Sequence, residues 1–341
     1  MNAVANSQRH LSSFHKIQDR KISEKNPEAI KSYSEFILGI IGRDNIERIK
    51  RSKQKIVIDP NGGTGAIAKK ILESAGAEVV GVNMQYGDFK RPIEPTEDSL
   101  IYLKSIIDDN KADFAAGFDC DADRVEILLD NGKFLSGNYI LALVVYEVLS
   151  SCGSAKNRIV VVNDATSNVV RDIVEKFGAK IKEVEVGETN VVQEMHQSRA
   201  IAGGEGSSGG VIIPPSKCRD GILTLMKILS IIAGKKKSLD AIIKELPKYY
   251  TLRHRAELGK SKHENIKKLL RDYYSKNGFE IKESGHINGG LKVIMDKNSF
   301  VWFRASKTES NIFRIISDSN SKDKAEKLTK EAVGVFNEAN E

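Results

Sequence analysis

Cysteine is scarce in this chain, and the few present are badly placed for cross-linking. Cys120, Cys152 and Cys218 lie far apart and in odd number, which excludes a disulfide framework and a cysteine-based zinc site and makes a reducing, cytoplasmic setting the expected one. Long apolar runs are missing too. The longest, Tyr139 to Leu149, is interrupted by Glu147 and falls short of the ~20 residues that span a bilayer. The first segment, Met1 to Arg20, is polar, so neither a signal peptide nor a membrane anchor is expected. Charge of one sign is not segregated into blocks: 53 Lys and Arg against 46 Asp and Glu leave a net +7. The densest cationic runs, Lys235-Lys236-Lys237 and Lys267-Lys268, lack interleaved aromatics and read as solvated surface rather than a nucleic-acid platform. Anionic small molecules suit this balance, and neither nucleic acid nor membrane is expected as a partner.

What is present is length and repetition. At about 150 residues per domain, 341 residues predict two to four domains. Two segments echo one another. Lys55 to Asp59 is strand-like, a small-residue loop and a helical stretch through Leu72 to Gly76 follow, and Glu78 to Val80 is strand-like again; Arg158 to Val162, Val174 to Gly178 and Lys180-Ile181 repeat the order about a hundred residues on. That spacing is too long for a solenoid and predicts two successive α/β domains of similar topology, with parallel sheets covered on both faces. The last ninety or so residues change character: a charged helix from about His263 to Tyr274, strands near 291–295, 300–303 and 312–316, and a closing helix from about Lys322 to Phe336 predict an α+β module. Pro247 and the polar stretch 251–255 mark its boundary. Ser23 to Lys50 reads as helices without strands, whose Ile37, Leu38, Ile40 and Ile41 predict an exposed apolar face in need of a partner.

Four segments carry candidate chemistry. In Asp119-Cys120-Asp121-Ala122-Asp123-Arg124, three carboxylates at alternate positions repel one another unless a hard divalent cation neutralises them. A calcium loop of the EF-hand type needs Gly at its sixth position and Glu at its twelfth, where Arg124 and Asp130 stand, and the flanks are strand-like. Mg²⁺ is therefore the expected ion, with Arg124 poised to hold a phosphoryl oxygen. Asp59 to Gly65 imitates a dinucleotide fingerprint, but the next strand ends at Val82-Asn83 without the acidic residue for a ribose hydroxyl, so a structural turn is expected and a nicotinamide oxidoreductase ranks last. Gly203 to Gly210 places Glu205, Ser207 and Ser208 among glycines. Such a run is either a flexible linker or a loop whose carboxylate accepts from two sugar hydroxyls. Finally, Arg304, Ser306 and Thr308 in a tight loop, followed by Arg314, offer donors to one phosphate.

In this order the motifs resemble the α-D-phosphohexomutase superfamily of phosphomannomutases, phosphoglucomutases and phosphoglucosamine mutases, from about Tyr33 to the C-terminus. Asp119-x-Asp121-x-Asp123-Arg124 looks like the magnesium loop of the family's second domain. Gly204-Glu205-Gly206-Ser207 is similar to the sugar-binding loop of its third, and Arg304-x-Ser306-x-Thr308-Glu309 to the phosphate-binding loop of its fourth. Gly87, Phe89, Arg91, Glu94 and Pro95, with Arg219-Asp220-Gly221, echo lesser landmarks. The resemblance implies an N-terminal helical remnant (1–50), a Mg²⁺-binding α/β domain (51–150), a sugar-binding α/β domain (151–250) and a phosphate-binding α+β domain (251–341). It also implies interconversion of hexose 1-phosphate and hexose 6-phosphate through a phosphoserine and a bisphosphate intermediate.

Two departures stand out. Ser310 replaces the usual Pro after Thr-Glu, and Arg314 falls one residue late. The family's first domain, with its Ser-His-Asn-Pro-type phosphoserine loop, is not found in this sequence, and Ser12-Ser13-Phe14-His15 is a poor substitute because it lacks the shaping Asn-Pro. Either a protein partner or a longer reading frame would supply the carrier, or the chain is a catalytically degenerate paralogue that binds sugar phosphate in a regulatory or scaffolding role.

Overall fold

A computed structural model describes residues 26–258, 263–285, 289–306, 309 and 311–340. Helices α1 (Asn26–Ile41) and α2 (Arg43–Ser52) lead into the first α/β unit. That unit comprises β1 (Lys55–Asp59), α3 (Ala68–Ser74), β2 (Glu78–Gly81), α4 (Glu97–Leu100), α5 (Leu103–Asn110), β3 (Phe114–Phe118), β4 (Val125–Leu129) and β5 (Phe134–Leu135). After α6 (Gly137–Ser151), the second unit contains β6 (Ile159–Asn163), α7 (Asn168–Lys176), β7 (Lys180–Val184), α8 (Glu188–Ser198), β8 (Ala202–Gly204) and β9 (Val211–Ile212), followed by α9 (Gly221–Lys235) and α10 (Leu239–Ile243). The strand orders are β2-β1-β3-β4-β5 and β7-β6-β8-β9, so the repeat read in the sequence is a repeat of topology.

The sheets are not wholly parallel. β1 runs parallel to β2 and β3, and β6 to β7 and β8, but β4 and β9 return antiparallel to β3 and β8. The reason is loop length: residues 119–124 and 205–210 are too few for a parallel crossover, which takes a dozen or more, and can close only a hairpin. Both candidate loops are thus hairpin tips at equivalent places in the two units.

The apolar run 139–149 is the heart of α6, buried on nearly every side. A helix apolar all round belongs inside a core, and α6 shares one with α9, β4, β6 and both leading helices. The expected exposed face at Ile37 to Ile41 is not there. Ile37 and Ile41 are 0% and 2% exposed in that same core, and the Tyr33 hydroxyl donates to both oxygens of Asp220, which caps the N-terminus of α9. The helical periodicity was sound, but the partner is this chain's own α9. Among the described residues no helix is long and apolar enough to cross a membrane.

The third unit consists of β10 (Tyr250–Glu257), α11 (His263–Lys276), β11 (Glu280–Glu283), β12 (Leu291–Asp296), β13 (Ser299–Ala305), β14 (Ile312–Ser319) and α12 (Lys322–Asn340). Its strands form one antiparallel sheet, β10-β14-β13-β12-β11. Strand side chains alternate between faces. Along β13, Val301 and Phe303 enter the core beneath α11 and α12, while Phe300 and Trp302 pack toward Ala165 and Val186 of the second unit. Polar contacts fasten the same seam: Asp318 accepts from the Asn168 amide (2.9 Å) and the Thr251 hydroxyl (2.7 Å), and Lys292 pairs with Glu183 (2.6 Å).

Candidate active site

The acidic loop closes the β3–β4 hairpin. Carboxylate oxygens of Asp119, Asp121 and Asp123 lie within 4.8 Å of one another, buried, exposed and half-buried respectively. Arg124 Nε donates to Asp119 Oδ2 at 2.5 Å and lies 3.3 Å from Asp123 Oδ1, and its guanidinium also reaches Glu94. Burial, aided by a hydrogen bond shared with Asp123 and opposed by Arg124, pushes the Asp119 carboxyl up to about 7. The donor set is three hard oxygens converging from one turn, which fits Mg²⁺ with water or phosphate oxygens in its remaining positions.

The glycine-bearing turn after β1 braces this loop. Thr64 N donates to Cys120 O (2.9 Å), and a Cβ on Gly63 would collide with the Cys120 backbone. Arg91, nearly buried, ties β1 to β3: its Nε pairs with Asp59 Oδ2 (2.5 Å) and its Nη2 donates to Phe118 O (2.6 Å). The turn's glycines therefore serve a close backbone approach, as expected for a structural turn.

Glu205 stands at the start of the equivalent hairpin loop in the second unit and is buried. Its Oε1 accepts from Asn163 Nδ2 and from the Gly187 amide, both at 2.8 Å, while Oε2 accepts from Arg219 Nη1 at 3.1 Å. The other arm of the Arg219 guanidinium reaches Asp123. Arg219 is thereby the link between the acidic triad and the glycine-rich loop, a role that the Arg-Asp-Gly landmark signalled only faintly. Ser207 is exposed, and its carbonyl and that of Gly206 face Arg253 of β10. The loop is no linker: a Cβ on Gly209 would strike the Val125 carbonyl oxygen. It lies flat on β4, where Gly209 N donates to Glu126 Oε1 (3.1 Å).

Gly187 also lines a cavity of about 400 Å³ with Thr189 and Asn190 of α8, Arg304 and Ser306 at the end of β13, and Arg314 on β14. Arg304 and Arg314 are register partners, so the late position of Arg314 still brings it to the cavity. Arg304 is 6% exposed and holds Glu185 at 2.8 Å, whereas Arg314 is half-exposed near Glu309. Thr308 lies outside the described residues. Sequence inspection did not find Asn163, Glu126 or Arg253, since single polar residues on strands carry no local motif. Glu126 is 5% exposed; burial pushes its carboxyl well up, and Oε2 has no partner among the described residues.

Comparison with known proteins is consistent with this geometry. Residues 31–132 match the family described as phosphoglucomutase/phosphomannomutase, alpha/beta/alpha domain II, and residues 136–250 match domain III. A phosphoglucomutase/phosphomannomutase of Thermococcus kodakarensis is 33% identical over 330 residues, 96% of this chain and 70% of its own length. Among solved structures, a phosphoglucomutase/phosphomannomutase family protein of Burkholderia thailandensis superposes with a TM-score of 0.73 at 19% identity, covering 91% of this chain and 64% of that one. N-acetylphosphoglucosamine mutase of Aspergillus fumigatus, solved with GlcNAc-6P and magnesium, gives 0.62 at 16% identity, covering 92% and 66%. The chain spans about two thirds of the length of these relatives. It belongs to the phosphoglucomutase/phosphomannomutase family, within the α-D-phosphohexomutase superfamily.

Proposed function

We propose that this chain is the substrate-handling part of a phosphohexomutase that interconverts hexose 1-phosphate and hexose 6-phosphate, with 51–150, 151–250 and 251–341 acting as metal, sugar and phosphate domains. The observation that carries the proposal is continuity. Asp123, Arg219, Glu205 and the Gly187 amide form one unbroken polar chain from the acidic triad to the Arg304 cavity. A ligand with a phosphate at each end and hydroxyls between them matches donors at the ends and a carboxylate in the middle.

On this reading Asp119, Asp121 and Asp123 would hold Mg²⁺, which supplies charge neutralisation at a transferring phosphoryl group. Arg124 grips a phosphoryl oxygen beside them. Glu205 and Ser207 orient the sugar through its hydroxyls, and Arg304, Ser306, Thr308 and Arg314 hold the phosphate that is not reacting. The seam between the second and third units narrows the cleft and excludes water that would hydrolyse the intermediate. The serine carrying the phosphoryl group would come from outside the described residues. In the Aspergillus relative the bound pair is GlcNAc-6P and magnesium, the same chemical class of ligand and ion.

Calorimetric titration with glucose 6-phosphate and Mg²⁺ tests the proposal. Wild type is expected to bind saturably. Arg304→Ala is expected to lose roughly tenfold or more in affinity, as removal of a charge-assisted hydrogen bond worth about 1.5–3 kcal/mol predicts. No saturable binding of any hexose phosphate by wild type would overturn it. Binding without turnover, once a phosphoserine domain is supplied in trans, would select the degenerate-paralogue alternative.

A further inference from the structure

The opposite end of the first sheet carries a second concave site. Gln54 and Asp113 immediately precede β1 and β3, so they lie one strand length, roughly 15 Å at ~3.3 Å per residue, from the acidic loop at the other end. Here a cavity of about 960 Å³ opens between α2 and the end of α9. Its walls bring in Arg48 and Arg51 from the exposed flank of α2, Lys53 at its left-handed C-cap, and Lys236 and Lys237 just beyond α9. Against these five cations stand two lining carboxylates, Asp113 and Asp130, and Asp113 already accepts from the Lys55 amide at 2.8 Å.

Cations near helix C-termini are commonplace because they offset the negative end of the helix dipole. That accounts for Arg51 in the last turn of α2, for Lys53 and for Lys236, but not for three other features. Arg48 projects from the helix flank, and none of Arg48, Arg51, Lys53 and Lys236 forms an ion pair among the described residues, although Lys50 and Lys237 nearby are paired with Glu47 and Glu245. Gln54 is 3% exposed; its Nε2 donates to Leu229 O (3.0 Å) and Ser52 Oγ (2.7 Å), but its buried Oε1 accepts from nothing described. Gly234 leaves the wall open where a side chain would stand, with only Arg48 Nη1 at 4.0 Å.

Four unpaired cations around a concavity, Arg48, Arg51, Lys53 and Lys236, specify a ligand of several negative charges. The volume suits a small molecule. A nucleic-acid strand is disfavoured because the lining contains no aromatic residue for base stacking. We propose that this cavity is a second ligand site, remote from the cleft, for a small molecule bearing two or more phosphates. Its occupant would clamp α2 to α9, and through the Tyr33–Asp220 contact at the other end of α9 it would bear on the segment that carries Arg219.

Inorganic tripolyphosphate, without Mg²⁺ and at ~0.15 M salt, where surface charges are screened beyond about 8 Å, is the probe. Hydrogen–deuterium exchange on the wild-type chain is expected to slow at amides 50–56 and 232–238. Slowing confined to 185–190 and 304–306 would overturn the proposal and leave only the cleft. By calorimetry, the double variant Arg51→Ala, Lys53→Ala is expected to lose at least tenfold in affinity, and Gly234→Leu, which fills the wall without changing charge, to lose as much. Affinity within twofold of wild type in both variants, or tighter binding of an unstructured RNA decamer than of tripolyphosphate, would refute it. Because this cavity shares no lining residue with the Arg304 cavity, failure here leaves the hexose-phosphate assignment standing, and the converse holds.

Discussion

Asp121 differs from Asp119 and Asp123 in being exposed, so it can be neutralised without leaving an unsatisfied buried group. A cation bound only by the folded state stabilises it by about 2.7 kcal/mol when present at a hundred times its Kd. Mg²⁺ is therefore expected to raise the melting temperature of wild type, and Asp121→Asn to lose most of that rise while melting normally without the ion; differential scanning fluorimetry across a Mg²⁺ series reads both. Glu126 presents the opposite case. Burial raises its folded-state pKa well above the ordinary carboxylate value, so between the two values the folded protein holds a proton that the unfolded chain releases. Stability contributed by that proton is full at low pH and is lost as pH rises. Glu126→Gln removes the dependence while retaining an acceptor for Gly209, and urea unfolding at pH 5 and pH 8 should show the variant gaining on wild type at the higher pH. A constant difference at the two values would refute the assignment.

Elements explain why the chemistry sits where it does. Residues 119–124 and 205–210 join consecutive antiparallel strands through loops of equal length, so each of these two motifs is the tip of a hairpin held by a sheet beneath it. The strands flanking these tips were legible as apolar runs, and so were the donors within them. Their mutual placement was not. Nothing in the spacing of Asp123, Glu205 and Arg219 says that one guanidinium bridges the two carboxylates, because the contacts reach back 96 and 14 residues along the chain. The glycine-rich run illustrates the same gap: linker and ligand loop look alike until its packing against β4 is known. Gly209→Ala should force that packing apart, and over-packing of this kind costs about 1–3 kcal/mol. The expected result is a lower urea midpoint together with weaker hexose-phosphate binding; a neutral substitution would mean that the loop is not seated on Val125.

At the scale of the molecule, two α/β units share one core and a third docks through Phe300, Trp302 and a few buried polar contacts. Ile37, at 0% exposure, reports on that shared core. Ile37→Ala should cost about 2–5 kcal/mol, the usual range for truncating a buried large aliphatic residue, measurable by chemical denaturation; a loss below ~0.5 kcal/mol, as at ordinary surface sites, would mean that α1 is not part of it.

Residue order alone established the doubled α/β topology and the α+β end, and it pointed to a metal-type acidic turn and an anion-type arginine loop, because periodicity and local charge crowding are properties of short stretches of chain. Folding was needed to turn the Ile37 to Ile41 face inward, to lay the glycines on β4, to join Asp123 to Glu205 through Arg219 and to gather unpaired cations around Gln54. Each of those outcomes depends on which distant surface is near, and burial and Coulomb energy are functions of distance in space, to which separation along the chain is no guide.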